Sequence, residues 1–334
     1  MENYEFIVGI DVSKLTLDYC ILSKQAEILS QGIVDNSSKG LKDLVVLLKK
    51  MKININDLLF SFENTGIYSL SLTLFFSEHK YYFSEIPALE IKRSKGISRG
   101  KSDKVDAKDI ALYCLRHSDK LIESVAPEVD IIQLRLLFSE REKIIESLKD
   151  FGAFNENKGF VPNYILKDLL AINDTIIRQL NKSLEIINQK IKHVLASNNR
   201  LKMQIALLKS IPGIGDVTAV YLIMVTKGFS CFKNARKFAC YAGIAPFEYK
   251  SGSSIRGRTK VSNLADKKMK AILHMTCLGA IKSDSEIKAY YKRKREQGKP
   301  TMLVMNNIKF KIISRAFAVI NRETPFVNIY KYSA

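Results

Sequence analysis

Phe6-Ile7-Val8-Gly9-Ile10-Asp11 is the stretch that decides the fold of this 334-residue chain. It is a short apolar run that stops at a carboxylate, and Leu59-Phe60-Ser61-Phe62-Glu63 repeats the design. Apolar runs of this kind are typical of buried strands, so we expect Asp11 and Glu63 where two strands leave a sheet. Rigid strand ends hold such side chains in a cleft that solvent still reaches.

Two further acids open a predicted helix. Asp103 and Asp106 lie three residues apart, which places both carboxylates on one helix face. An alternative is that Asp103 is only an N-cap and Asp106 a first-turn acid favoured by the helix dipole.

Taken together, Asp11, Glu63, Asp103 and Asp106 predict a metal-dependent phosphodiester-processing centre. Mg²⁺ prefers oxygen ligands in near-octahedral geometry and takes phosphate oxygens as its remaining partners. Four carboxylates from three segments suit Mg²⁺, with room for two ions. Clustered acids repel one another, and a bound cation is the usual compensation.

The order of predicted elements indicates the fold of the first part. Strands at residues 6–10, 15–22 and 27–34 precede a helix capped at Ser37-Ser38, and the strand ending at Glu63 follows. A helix, a strand at 81–83 and a helix opened by Pro87 come next. This order is that of a ribonuclease-H-like α/β domain, although other mixed sheets share it.

The charge of the chain points to a polyanionic partner. The net charge is +19 and the pI about 9.6, which suits nucleic acid. The acidic N-terminus and the lack of an apolar run of about 18–20 residues predict no signal peptide, no membrane association and a cytoplasmic protein. Five scattered cysteines without a CxxC pair argue against disulfides and zinc.

The middle of the chain predicts long helices, and we divide the chain into residues 1–125, a helical spacer at 126–205 and a C-terminal domain at 206–334. Apolar residues at spacings of three and four between Leu169 and Val194 form a coiled-coil-like seam, with Asn173 on the same stripe. The seam fits an intramolecular hairpin and a dimerisation arm about equally well.

Ile211-Pro212-Gly213-Ile214-Gly215 predicts the turn of a helix-hairpin-helix. Gly213 and Gly215 would let the backbone approach a DNA phosphate, and the second helix would offer its N-terminal amides. The alternative is a tight turn that uses glycine only for positive φ.

The last third is strongly basic, and this favours a nucleic-acid-binding surface. Tyr290 and Tyr291 beside residues 292–295 could stack on bases, although that cluster alone also fits a solvated helix end. The candidate nucleic-acid-binding cations are Lys250, Arg256, Arg258, Lys260, Lys267 and Lys268.

A Gly/Ser-rich loop lies within this region. Ser251 precedes Gly252 between basic residues, so its hydroxyl could attack a phosphodiester while the cations stabilise the transition state. From the residues alone, a phosphate-binding loop is the more economical interpretation.

The motifs in their order resemble one family across nearly the whole chain. The N-terminal motifs are Gly-Ile-Asp-Val-Ser-Lys at Asp11, Glu-Asn-Thr-Gly at Glu63 and Lys-Ser-Asp-Lys-Val-Asp-Ala-Lys at residues 101–108. Pro-Gly-Ile-Gly, Ala-Gly-Ile-Ala-Pro, Ser251-Gly252 and a basic helix follow. These resemble the bacterial insertion-sequence transposases with a RuvC-like Asp-Glu-Asp-Asp domain, relatives of the pilin-gene invertase.

This resemblance implies a DNA recombinase that cuts and rejoins donor and target double-stranded DNA. It implies that Asp11, Glu63, Asp103 and Asp106 are the metal-binding tetrad and that Ser251 forms the covalent link to DNA. It also implies a structured bridge RNA as guide, association with the bacterial nucleoid when bound to DNA, and a dimer or tetramer joined through the helical arm.

Two points qualify the resemblance. Ala265-Asp266 stands where the family often has Gly-Asn, and Ser253 and Ser254 crowd Ser251. The main alternative function is a structure-selective nuclease resembling Holliday-junction resolvases, with water as nucleophile. A non-enzymatic nucleic-acid-binding protein is the third, and it would bind without Mg²⁺ and with strong salt dependence.

Overall fold

The computed structural model describes residues 4–94, 103–119, 121–154, 160–245, 250–251, 255–256, 261 and 265–328. The chain forms two compact units, residues 1–126 and 127–334. The further division of the second unit into a spacer and a C-terminal domain stays a prediction.

The first unit is built on a five-stranded mixed sheet in the order β3-β2-β1-β4-β5. The first three strands are antiparallel, and β4 is parallel to both β1 and β5. This is the topology of a ribonuclease-H-like domain, as expected. Its elements are β1 (Phe6–Val12), β2 (Thr16–Ser23), β3 (Ile28–Asp35), α1 (Ser38–Lys50), a 3₁₀ turn (Ile55–Asp57), β4 (Leu58–Glu63), α2 (Ile67–Glu78), β5 (Phe83–Ile86), α3 (Ala88–Ser94) and α4 (Asp103–Arg116).

One strand lies later than the sequence predicts. The expected strand at 81–83 is β5, which begins at Phe83 and ends at Ile86. Tyr81 instead ends the turn after α2, where its N–H donates to the Phe76 carbonyl oxygen and its ring stacks on Phe60. Aromatic β-propensity alone did not reveal this packing role.

The two faces of the sheet bury separate cores. One face, with Val8, Ile10 and Phe62, packs against α1 and α2. The other, with Ile7 and Cys20, packs against α4. Because side chains alternate along a strand, Asp11 belongs to the α4 face.

The second unit is mainly helical, as expected, with one core cluster. Its elements are α5 (Val129–Ala153), α6 (Asn163–Ser197), α7 (Asn199–Lys209), α8 (Asp216–Val225), α9 (Ala235–Tyr241), the strands β6 (Lys250–Ser251) and β7 (Ile255–Arg256), α10 (Lys267–Ser283), α11 (Ser285–Glu296) and α12 (Thr301–Arg322). The core joins residues of α5 and α6, such as Leu134 and Val194, to Leu208 and Ile223.

Helices α5 and α6 pack on each other within the chain. The Asn173 side-chain amide donates to the Phe151 carbonyl oxygen at 3.0 Å, and the Arg141 guanidinium donates to Asn188 at 2.9 Å. Asn173 therefore satisfies its amide inside the hairpin. Coiled-coil pairing with a partner chain stays a prediction.

A buried ion pair joins α11 to α12. Asp284 caps α11 by accepting from the backbone N–H groups of Glu286 and Ile287. The Arg315 guanidinium, 9% exposed, donates to Asp284 at 2.7 Å and to Glu286 at 2.6 Å. The charges of the buried Arg315 and Asp284 are thus compensated inside the second unit.

No helix among the described residues is long and apolar enough to span a membrane. All five cysteines are free thiols.

Candidate metal centre and nucleic-acid interface

Three of the four predicted acids come together in the first unit. Ligand oxygens of Asp11, Asp103 and Asp106 all lie within 4.8 Å of one another. Asp11 is near the end of β1, and the other two occupy the first turn of α4. Mg²⁺–oxygen distances of about 2.1 Å put the ligand oxygens of one ion about 3–4 Å apart, so small side-chain rotations would fit this donor set to one ion.

Small residues allow α4 to approach the sheet closely. Gly9 lies two residues before Asp11 on the same face, opposite Ser61 of β4. The helix presents the buried residues Ala107 and Ala111 to this face. With no bulky side chain between strand and helix, the first turn of α4 lies beside the end of β1.

Glu63, the fourth predicted acid, lies beside this group rather than within it. It ends β4, the strand that pairs with β1, and it is partly buried. Its charge contributes to the raised pKa of Asp11. Neighbouring strands are about 4.8 Å apart, so Glu63 at the end of β4 lies one strand away from Asp11.

The clustered charges alter the acidity of Asp11. The pKa of the Asp11 carboxyl is raised to about 6, first by burial and then, in decreasing order, by the charges of Asp106, Asp103, Asp18 and Glu63. Unfavourable burial together with like charges is the pattern that a bound cation relieves.

Sequence analysis missed a fifth acid, Asp18. It lies on β2 directly opposite Asp11, and the residue is only 4% exposed. Burial raises its pKa, the charge of Asp103 raises it further, and Lys104 lowers it. The register of the β1–β2 hairpin was the signal that would have revealed it, because residues at equal distances from the turn face each other.

The predicted glycine turn connects α7 to α8, but its two glycines have different surroundings. Gly213 has a φ of +91°, and a Cβ there would come within 2.6 Å of the Thr276 carbonyl oxygen of α10. Gly215 precedes α8 with nothing within 4 Å of such an atom. Gly213 therefore serves packing, whereas Gly215 is open to an approaching phosphate. The helix-hairpin-helix assignment stays a prediction.

The predicted nucleic-acid-binding cations also differ. Lys267 is exposed at the start of α10, whereas the Lys268 ammonium pairs with Glu142 and lies 4.9 Å from the centre of the Phe138 ring. Lys250 and Arg256 pair in the β6–β7 ladder. Their side chains, and the whole of Arg258 and Lys260, lie outside the described residues.

Ser251 lies in the same short hairpin. Its backbone pairs with Ile255 across β6 and β7, while its side chain and residues 252–254 are outside the described part. The catalytic role assigned to Ser251 stays a prediction.

Asp266, noted as a departure from the family pattern, organises the start of α10. Its carboxylate accepts from the Met269 N–H at 2.8 Å, from the Tyr221 hydroxyl at 3.1 Å and from the Tyr241 hydroxyl at 3.2 Å. Burial, together with this carboxylate, raises the pKa of Tyr241 to about 12. Asp266 is therefore committed to intramolecular hydrogen bonds, and a phosphate contact is not needed to explain it.

The predicted basic cluster forms the end of α11. Lys292, Arg293 and Arg295 are exposed there. The Arg293 guanidinium lies 5.9 Å from the centre of the Tyr290 ring. This arrangement presents cations and an aromatic face together.

Comparison with known families gives two matches in chain order. Residues 8–152 match a family model of the DEDD IS110 type described as "Transposase", and residues 205–292 match the "Transposase IS116/IS110/IS902 family". The first match contains all four predicted acids, and the second contains Ser251.

Individual proteins give concordant similarities. The chain is 27% identical to the pilin gene-inverting protein of Moraxella lacunata over 325 residues, 96% of this chain and 97% of that protein. It is 26% identical to a protein of insertion element IS110 from Streptomyces coelicolor, over 61% of this chain and 47% of that protein. Among solved structures, Thermus thermophilus RuvC in complex with a Holliday-junction substrate matches at 11% identity, with a TM-score of 0.28 over 36% of this chain and all of that chain.

Proposed function

Because the chain belongs to the IS110-type family of insertion-sequence transposases and is therefore a DNA recombinase, we propose that Asp11, Glu63, Asp103 and Asp106 hold Mg²⁺ and that Ser251 is the nucleophile toward DNA. One observation carries the metal site: carboxylates from β1 and α4, far apart in the sequence, lie within 4.8 Å of one another. When bound there, Mg²⁺ supplies charge neutralisation at the scissile phosphate and orients it.

In this proposal Asp11 and Asp106, both partly buried, hold the ion rigidly from the sheet and the helix. Asp103 is exposed, and in this proposal it remains accessible to the phosphate of the substrate. Glu63 completes the set by rotating from the end of β4. The four residues thus bind and orient, and none of them needs to become a nucleophile.

Ser251 would carry the covalent step. Its Oγ attacks the scissile phosphorus and loses its proton, a serine–phosphate ester forms, and the bond between phosphorus and one deoxyribose oxygen breaks, leaving that oxygen as a hydroxyl. Attack on the ester by a hydroxyl of the strand to be joined then restores Ser251 and reforms the DNA backbone.

The partners follow from charge and family. The net charge of +19 and the exposed cations of α11 support binding of donor and target double-stranded DNA. We propose a structured guide RNA and a homodimer or homotetramer joined through α5 and α6. RNA that survives nuclease treatment during purification, and a mass in solution above that of one 37.9 kDa chain, are the corresponding tests.

The decisive experiment compares Asp11→Asn, Ser251→Ala and Ser253→Ala in a recombination assay with DNA bearing the element ends. We expect the first two to lose recombination and the last to retain it. A protein–DNA adduct that survives denaturation should form with Ser253→Ala and not with Ser251→Ala. If Ser251→Ala still cleaves DNA with Mg²⁺ and no adduct forms in the wild type, water is the nucleophile and the enzyme acts as a structure-selective nuclease.

A further inference from the structure

Asp18 occupies an unusual place for an acid. Its strand, β2, continues on the same face with the fully buried Cys20 and Leu22, which pack in the core beneath α4. Alternation along the strand therefore turns the Asp18 side chain toward the face that carries Asp11. The two carboxylates form a directly opposed cross-strand pair.

Such a pair is unfavourable by itself. Like charges directly opposite each other in antiparallel strands are destabilising, and the residue Asp18 is only 4% exposed, so solvent screens this repulsion little. Among the residues that the structure describes, no side chain forms a hydrogen bond or ion pair with the Asp18 carboxylate within normal distance limits. The charge of the exposed Lys104 lowers the pKa of Asp18, whereas burial and the charge of Asp103 raise it.

The repulsion between a buried acid and the acids that it faces is relieved by protonation or by a bound cation. Asp18 lies opposite Asp11 in the hairpin and is not part of the group of ligand oxygens within 4.8 Å of one another. Mg²⁺ usually keeps several water molecules, and carboxylates around a metal centre orient the ligands and those waters.

We propose that Asp18 is a fifth carboxylate of this metal centre, a positioning residue that accepts a hydrogen bond from water coordinated to the ion and adds negative charge opposite Asp11. This rests on the proposed function, because it assumes that the tetrad holds a divalent cation. It assigns the acid of β2 a role that neither the motif pattern nor the family match gives it.

The test measures cation binding by the full-length chain in the absence of nucleic acid. Unfolding midpoints are recorded without divalent cations and across Mg²⁺ and Mn²⁺ titrations for the wild type, Asp18→Asn, Asp11→Asn and Asp43→Asn. Asp43 is an exposed acid of α1 and serves as the matched control. A ligand that binds only the folded state raises the midpoint according to its affinity.

We expect Asp18→Asn to unfold at a higher midpoint than wild type without cations, because repulsion is relieved, and to bind the cation roughly 10- to 100-fold more weakly. Asp43→Asn should match wild type in both the unfolding midpoint without cations and the cation affinity. A purely structural Asp18 would change the midpoint and leave the cation affinity within about two-fold of wild type, which overturns the inference.

The two proposals fail in distinguishable ways. If Asp11→Asn also leaves cation affinity unchanged, the metal centre itself is refuted. If Asp11→Asn loses binding and Asp18→Asn keeps it, only the role of Asp18 is refuted. Asp18→Ser is the second variant and should give the same result as Asp18→Asn. It also removes the negative charge, and its smaller side chain fits the same space.

Discussion

Gly9 of β1 lies directly against Ala107 of α4. A Cβ atom at position 9 would come within 2.3 Å of the Ala107 backbone oxygen and 2.5 Å of the Ala111 nitrogen. This contact is what sets the first turn of α4, with Asp103 and Asp106, beside Asp11. The glycine thus acts on the metal centre through the position of the helix.

Gly9→Ala should therefore displace α4. Overpacking of this kind costs about 1–3 kcal/mol of unfolding free energy, because backbone atoms cannot move aside as a flexible side chain can. We also expect Mg²⁺ affinity to fall, measured by titration of the unfolding midpoint. Gly152→Ala is the control, because nothing lies within 4 Å of a Cβ atom there. Wild-type Mg²⁺ affinity in Gly9→Ala would show that the contact does not position the acids.

The raised pKa of Asp11 predicts how stability depends on pH when divalent cations are absent. Its pKa is about 6 in the folded chain and 3.8 ordinarily, so the folded state binds the proton more tightly. Unfolding free energy should then fall as pH rises from about 4 to about 6, by about 1–3 kcal/mol, and change little from this group at higher pH.

Urea unfolding across this pH range measures the effect. Asp11→Asn should remove the decrease in unfolding free energy. Mg²⁺ should raise the unfolding free energy of the wild type above pH 6, where the Asp11 carboxylate is ionised. A wild-type profile that rises over the window would contradict the charge clustering.

The two turn glycines predict opposite phenotypes. Gly213→Ala adds a Cβ atom within 2.8 Å of Ala280 as well as the Thr276 oxygen, at a positive φ, and should lower unfolding free energy by about 2–4 kcal/mol. Gly215→Ala should change stability by less than about 1 kcal/mol, since its surroundings are open.

If the turn contacts phosphate, Gly215→Ala should nevertheless weaken DNA binding several-fold. Equilibrium titration with duplex DNA at two salt concentrations tests this. Unchanged affinity in a stably folded Gly215→Ala variant would reduce the turn to a packing element.

The buried ion pair of Arg315 should be essential to the second unit. Arg315→Met leaves Asp284, which is fully buried, without its cation, and we expect a loss of about 3–5 kcal/mol. Lys311→Met is the matched control, because its ion pair with Glu286 is partly solvated and worth about 0–1 kcal/mol. Denaturant unfolding compares them, and equal losses would contradict the ranking by burial.

Substitutions of Asp266 should lower the stability of the second unit by different amounts. Asp266→Asn keeps an N-cap oxygen for the Met269 N–H and should cost less than Asp266→Ala, which removes the cap at about 1 kcal/mol and leaves Tyr221 and Tyr241 without their acceptor. Unfolding midpoints of both variants, with Tyr241→Phe for comparison, provide the measurement. Equal midpoints for the Asn and Ala variants would contradict the capping role.

Local pattern determined much of this protein. Apolar runs ending in acids, Ser37 as a helix cap and the alternation of strands and helices were enough to predict the ribonuclease-H-like sheet and most of its element positions. These features depend on near neighbours in the sequence, which is why they can be read there. The family motifs identified Ser251 and the four acids as candidates.

Only the tertiary structure decided which of those acids meet. Asp11, Asp103 and Asp106 gather because β1 and α4 pack at Gly9, while Glu63 lies one strand away and the register of a hairpin sets Asp18 opposite Asp11. Packing between distant parts of the chain also pairs the Lys268 ammonium with Glu142 and brings Gly213 against α10. Burial and charge compensation arise between residues distant in sequence, and the linear order of the chain does not contain those distances.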